Sequence, residues 1–543
     1  MANAELYFQE FSVAQAGRST FESHWEEAAK FTLPALRGTF ESNGMTRTPG
    51  QKHTSDVYDS TALIALPRFG AVMESMLTPR NSKWHRLAPL EDALRKDRAT
   101  RLWLDAVTDL LFRYRYAPKA NFSGQNGQNY LTLGALGTGC VFTDELADEP
   151  GLRYRAIHLG EIFFFENHQG IIDKAMRRFP LTVRQAAQKF GRDALSPTLQ
   201  GKFGTKDQEN EYMFLHVVEP RADMDPGRKD YRGKAFRSCY FEFETKKEVR
   251  ESGYNTFPYS ISRYTQSIGE VYGRSPAMEA LPAIKTLNEQ SKTMLRVGQR
   301  AVDPVLLAHD DGVLDAFSMR SGAMNYGAVN RDGRALVQAL PTGNLAAGDK
   351  MMEYQRNAIN DAFLMSLFQI LTEGPQMTAT EVLERVREKG ILISPTMGRQ
   401  QSEYLGPLID RELDVLSMQG LLPPMPPALR EAGGGYKVEY DSPLSRAQRA
   451  EEASGLMRTV EMALKVAVEA QNPEVLDHFE WDAIVPELAD IEAVPARWLR
   501  SVARIAEIRE GRMAEKETQT AIAAAPAMAA MTKSMGGGRG QSV

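Results

Sequence analysis

Residues 274–304 read RSPAMEALPAIKTLNEQSKTMLRVGQRAVDP. Ser275 before Pro276 is the pairing of an N-cap with a proline at the first helical position, where the missing N–H costs nothing. Asp303-Pro304 closes the run, because the residue before a proline is pushed out of helical geometry. Between them Leu281, Ile284, Leu287, Ser291 and Met294 fall at helical spacing and predict one buried stripe. Lys285, Glu289, Lys292, Arg296 and Arg300 form a second, charged stripe. That stripe reads as a solvated face with i,i+3 and i,i+4 pairs through Glu289, or as a surface offered to nucleic acid or to another subunit.

Working outward, residues 303–345 predict a small strand-and-turn unit: VLLA, an Asp-Asp-Gly turn at Asp310 and Asp311, an Asn-Arg-Asp-Gly turn that carries Arg331 and Asp332, and ALVQAL ending at Pro341. A second long helix is expected over 346–371, with Ile359, Phe363, Leu367 and Ile370 on one face. The loop Thr372, Glu373, Gly374, Pro375, Gln376, Met377 ends it. Thr378 and Glu381 form a capping box for a third helix, interrupted at 390–398 and resuming to about Gln419. Proline-rich LLPPMPP (421–427), a strand at 436–440, a helix opened by Ser442-Pro443 and further helices over 481–518 follow, before an Ala-, Met- and Gly-rich tail.

Toward the N-terminus, helices are expected over 1–33, 56–79, 90–115 and 119–137. From Cys140 to about Ser267 the texture changes to β-branched and aromatic runs such as EIFFFEN and EYMFLHVVE, which predict strands. One short helix interrupts them, bounded by a capping box at Thr182 and Gln185 and a stop at Gly191. The fold class is therefore α+β.

Composition narrows the function. The 543 residues are 43% hydrophobic and 25% charged, with a formal net charge of −5, so bulk charge does not draw the chain to DNA. Two cysteines, Cys140 and Cys239, cannot build a disulfide scaffold or a four-cysteine zinc site, and read as core thiols of a reducing compartment. No apolar run is long enough to span a membrane, and the N-terminus carries Glu5 and Glu10 where a signal peptide would be basic. There is no Walker A sequence, H-E-x-x-H or G-x-S-x-G. Gly134, Gly137 and Gly139 lie between a helix and a strand, the wrong order for a dinucleotide loop, and read as a helix terminus. Asp477, His478, Glu480 and Asp482 read as a solvated helix connection rather than a cation site. The chain is expected to be no enzyme and to need no cofactor or metal.

The order helix, small β unit, helix, short loop, kinked helix resembles the portal, or head-to-tail connector, proteins of tailed bacteriophages, closest to those of short-tailed, T7-like phages. The strings VYGRSPAMEALPAIKTLNEQ (271–290), MTATEVLERVREKG (377–390) and VEYDSPLSRAQRAEE (438–452) carry the likeness, which runs to about residue 510. It implies a mainly α-helical portal fold: a wing at 1–274, stem helices at 275–302 and 346–371, a β-containing clip at 303–345, a tunnel loop at 372–377, a kinked helix and return strand at 378–442, a helical crown at 443–518 and a disordered tail at 519–543. Carried onto this sequence, Thr372 to Met377 would line the channel, Lys285, Lys292, Arg296 and Arg300 would face DNA or a neighbouring subunit, and Asp310, Asp311, Arg331 and Asp332 would dock partners.

The resemblance implies a ring of twelve subunits at one capsid vertex in the virion, assembled in the host cytoplasm. Its expected partners are double-stranded DNA held without sequence preference, a terminase motor, a tail adaptor protein, and the major capsid and scaffold or internal core proteins. A different capsid-assembly protein, or an enzyme of another family, are the alternatives.

Overall fold

The computed structural model describes residues 2–40, 50, 52–308, 318–341, 345–365, 394–441, 443–469, 473–491, 498–500, 504–516 and 518. The chain is α+β, as expected, and its contacts divide it into two compact units: Met1–Trp84 with Leu111–Leu422, and His85–Leu110 with Pro423–Val543.

The first unit opens with α1 (Ala2–Thr32), which Pro34 follows in a short 3₁₀ turn. Tyr7, Phe11, Trp25, Ala28 and Ala29 are its buried face. Helix α2 (Thr61–Leu77), inside the helix expected over 56–79, buries Leu66, Phe69, Val72 and Met76 at helical spacing. After the last turn of α3 (Arg98–Arg115), which belongs to this unit from Leu111, and α4 (Phe122–Leu136) come the strands β2 (Thr138–Glu145), β3 (Leu152–Ala156), β4 (Ile162–Glu166), β5 (Ile172–Thr182), β6 (Glu211–Pro220), β7 (Phe236–Glu242), β8 (Glu248–Tyr254) and β9 (Tyr259–Arg263). They build two antiparallel sheets, ordered β3-β2-β9 and β4-β5-β6-β7-β8.

The period of two along a strand decides which side chain goes to which face. Met176, Leu215, Val217, Cys239 and Phe241 point to one face of the larger sheet, where Tyr7 and Phe11 of α1 cover them. Phe179, Phe214 and Tyr240, of opposite parity, point to the other face, under Val183 and Ala186 of α5 (Val183–Phe190). The capping box at Thr182 and Gln185 is formed, and Gly191 ends α5. Both cysteines are buried, and burial pushes the Cys239 thiol up to about 12.

Glycine is required at one junction. Gly137 ends α4 at φ 79°, and a Cβ there would lie 2.4 Å from the Gly273 carbonyl oxygen. Backbone crossing at this distance leaves room for no side chain, so these glycines serve packing.

In the second unit the sequence reading needs a correction. The helix expected over 90–115 begins only at Arg98. Asp97 caps its start, accepting the Thr100 N–H at 2.9 Å. Ahead of it His85–Pro89 is a strand, β1, paired antiparallel with Tyr436–Tyr440. Its partner lies some 350 residues along the chain, so no local pattern announces it. Arg86 and Arg95 share the Glu439 carboxylate, at 2.9 and 3.1 Å, and Trp103 donates to the Pro423 carbonyl at 3.0 Å. Helices at Pro443–Glu469 and Trp481–Ile491 complete this unit, where Asp482 pairs with Arg509 at 2.7 Å. Among the described residues no group of three side chains could hold a metal ion, and no helix is long and apolar enough to cross a membrane.

Candidate functional site

Helix α7 (Pro276–Val302) is built as its sequence dictates. The Ser275 hydroxyl accepts the Met278 N–H at 2.9 Å and donates to the Ala135 carbonyl at 2.9 Å, so the cap also ties α7 to the end of α4. Leu281, Ile284, Leu287, Asn288 and Ser291 are buried along one stripe. The chain then forms β10 (Leu306–Ala308) and β11 (Val337–Ala339), an antiparallel pair, and returns in α8 (Leu345–Ala362). Helices α7 and α8 pack together, with Gly348 set against the Met294 side chain and Ser291 beside Met352 at 3.6 Å. At the end of α8, Phe363 is buried edge-on to Phe69, 6.3 Å between centroids.

A short strap before α2 holds the hairpin. Asn288 accepts the Tyr58 N–H at 2.7 Å and donates to the Asp56 carbonyl at 3.0 Å. Asp59 takes Ser291 of α7 at 3.4 Å and Arg356 of α8 at 3.0 Å. Burial pulls the Asp59 carboxyl upward, but hydrogen bonds from Thr61 and Arg356 outweigh it and hold the group below its ordinary value. Sequence reading passed over this strap. Its only local signal is an acidic residue just ahead of a helix start, which reads as a plain cap.

The charged stripe of α7 divides in two. Lys285 does not pair along the helix as expected. It reaches Glu27 of α1 at 2.5 Å. Lys292 lies 3.8 Å from Glu289 and over the Tyr58 ring at 5.4 Å. Arg296 and Arg300, one turn and two turns on, are exposed and have no ion partner among the described residues. They rim an open groove of about 1090 Å³ whose floor includes Met294, Leu295 and Met352.

At the far end, Asn330 folds the Asn-Arg-Asp-Gly turn by accepting the N–H groups of Asp332 and Arg334 at 3.0 and 2.9 Å, with Gly333 at φ 76°. Arg331 and Asp332 stand exposed on that turn. The α7 end and the segment before this turn also expose apolar side chains: Val302 is 88% exposed, Met324 80% and Tyr326 78%. Asp310 and Asp311, and the whole loop Thr372, Glu373, Gly374, Pro375, Gln376, Met377, lie outside the described residues.

The arm is a pair of helices with a β tip, capped and strapped at its base, and it exposes apolar side chains at its end. It has the character of a surface made for other molecules. The comparisons with known proteins agree. Residues 5–499 match the family described as "Bacteriophage head to tail connecting protein". This chain belongs to that family. Among curated relatives, the connector chain is 30% identical over 522 residues to the "Probable portal protein" of Bordetella phage BPP-1, covering 94% of this chain and 92% of that protein. It is 27% identical over 528 residues to the "Portal protein" of Salmonella phage epsilon15, covering 95% and 92%. A chain of the solved "Virion of native gene transfer agent (GTA) particle" is similar at a TM-score of 0.36 and 11% identity, covering 79% of this connector chain and 96% of that one.

Proposed function

We propose that the chain is the subunit of a ring, of twelve copies, that forms a channel at one capsid vertex through which double-stranded DNA enters and leaves and to which the tail attaches. The observation that carries this is the family match over nearly the full length together with two portal proteins related end to end. In this reading the body at 1–274 is the wing, α7 and α8 belong to the stem, β10, β11 and their turns are the clip, and 372–377 is the tunnel loop. Residues 443–518 form the crown. The clip then meets the packaging motor and the tail adaptor, with Asp310, Asp311, Arg331 and Asp332 among its contact groups. The wing and crown meet the capsid shell and scaffold or internal core proteins. The ring sits in the virion and is assembled in the host cytoplasm.

Charge suits a conduit. Twelve copies at −5 each carry a formal −60. A ring that neutralised many phosphates would hold DNA tightly, because each neutralised phosphate adds to the salt-dependent binding term. A net acidic ring with a few basic positions lets a duplex slide, and contacts confined to phosphates read no sequence.

Mass photometry with negative-stain imaging tests the reading. Twelve copies of a 60.5 kDa chain give about 726 kDa, and closed rings of that mass are expected. A monomer or dimer at every salt concentration would overturn it.

A further inference from the structure

Helix α8 carries a stripe that matches the bare arginines of α7. Asp349, Glu353 and Asp361 are all exposed, and Asp349 and Glu353, four residues apart, share one edge of the helix. None has an ion partner among the described residues, while Arg356 of the same helix is taken by Asp59. Beside the acids Tyr354 is 73% exposed, although α8 has Met352 and Ile359 to bury. On α7 the counterpart is Arg296 and Arg300 with Leu295, 55% exposed, all three lining the groove. Each helix thus shows an apolar side chain flanked by charge that has no ion partner among the described residues, basic on α7 and net acidic on α8, where Lys350 is the one exposed base beside the acids.

Resting on the ring reading above, we propose that these two stripes are the two halves of one seam: α7 of one copy receives α8 of the next, with Tyr354 against Leu295 and the groove, and Glu353 and Asp349 against Arg296 and Arg300. Three points favour this occupant. A cyclic ring needs a heterologous contact in which two different surfaces of the same chain meet, and the opposite signs of the stripes supply the difference. Like stripes repel, so a face-to-face dimer through either helix is disfavoured and growth goes head to tail. Arginine and carboxylate also form paired hydrogen bonds with fixed geometry, which sets register as well as attraction. The arginines are therefore occupied at the subunit boundary and are not the groups that meet phosphate.

Charge reversal tests the seam on the full chain. Arg296→Glu with Arg300→Glu, and separately Asp349→Lys with Glu353→Lys, should each lower the ring population about tenfold or more at roughly physiological salt. The four changes together should restore rings, since the seam is rebuilt with its signs exchanged. Thermal melting of each unassembled variant should match the parent, because all four positions are exposed, and this separates a lost seam from a lost fold. The proposal is overturned if either reversed pair still assembles like the parent, if the fourfold variant fails to recover, or if the arginine reversal leaves rings whole and alters only their retention of duplex DNA. In those outcomes the ring itself stands. A parent chain that forms no ring removes both readings.

Discussion

The body around α3, α4 and the Gly406–Met418 helix treats charge quite differently from the outer half of the α7–α8 arm. In the body Arg115 is fully buried and completely answered. Glu412 meets its guanidinium at 2.9 and 2.5 Å, Tyr154 donates to the same carboxylate at 2.7 Å, and the Trp84 ring lies 4.6 Å from the guanidinium. Arg263 is likewise shared between Glu166 at 2.6 Å and Glu403 at 2.7 Å. On the arm Arg296, Arg300, Asp349, Glu353 and Asp361 are exposed and have no ion partner among the described residues, beside exposed Leu295 and Tyr354. A buried charge without a partner costs several kcal/mol, so the body must close its own networks. An exposed charge costs almost nothing until a partner arrives, so the arm can keep its groups for another molecule. Where a chain leaves matched groups unsatisfied is a guide to where it expects company.

The sharpest way to break this contrast is in the body. Glu412→Ala leaves the Arg115 guanidinium buried and alone and removes the acceptor of Tyr154, so the unassembled chain should lose about 3–5 kcal/mol of stability. Chemical denaturation of the monomer checks it. A loss near that of a surface ion pair would show that water reaches Arg115 and that the body is less closed than it looks.

A second test uses pH. His216 is buried, bonded to the Tyr259 hydroxyl at 2.7 Å and the Ser238 hydroxyl at 2.9 Å, and stacked on Tyr240 with 4.0 Å between centroids. Burial, then the charges of Lys189 and Arg177, hold its pKa well below 6.5. The unfolded chain takes up a proton as the pH falls through about 6.5 and the folded one does not. The neutral histidine is therefore harmless above that pH, and stability falls below it by about 1.4 kcal/mol per pH unit. Melting curves between pH 7 and pH 5 should show this slope, and His216→Gln should flatten it.

At the boundary between body and arm the effect should be smaller. Ser275→Ala removes the α7 cap and the tie to Ala135, and about 1 kcal/mol of stability should go with it. On the arm itself Tyr354→Ala should change monomer stability by less than about 0.5 kcal/mol, as for other exposed positions. If this last substitution destabilised the monomer as much as the cap does, Tyr354 would be serving its own chain, and the distinction between the two regions would fail at that point.

Local chemistry made much of this chain legible without a structure. Ser275-Pro276 and Asp303-Pro304 bound α7 because caps and prolines act within one turn. Thr182, Gln185 and Gly191 bound α5 for the same reason, and the parity of β5, β6 and β7 follows from the two-residue repeat. The charged stripe of α7 was also visible, but its sorting was not. That Lys285 goes to Glu27, rather than to Glu289 on its own helix, depends on where α1 lies. Only the tertiary structure decided what lies far apart in sequence: β1, a strand paired with Tyr436–Tyr440 just ahead of the helix that was expected from residue 90, the Arg115–Glu412 pair 297 residues apart, and the Asp59 strap that joins α7 to α8. The reason is physical. A cap or a repeat is settled by neighbours a few bonds away, whereas a sheet partner or a buried counter-ion is selected by the packing of the whole chain, and no short stretch contains the information to name it.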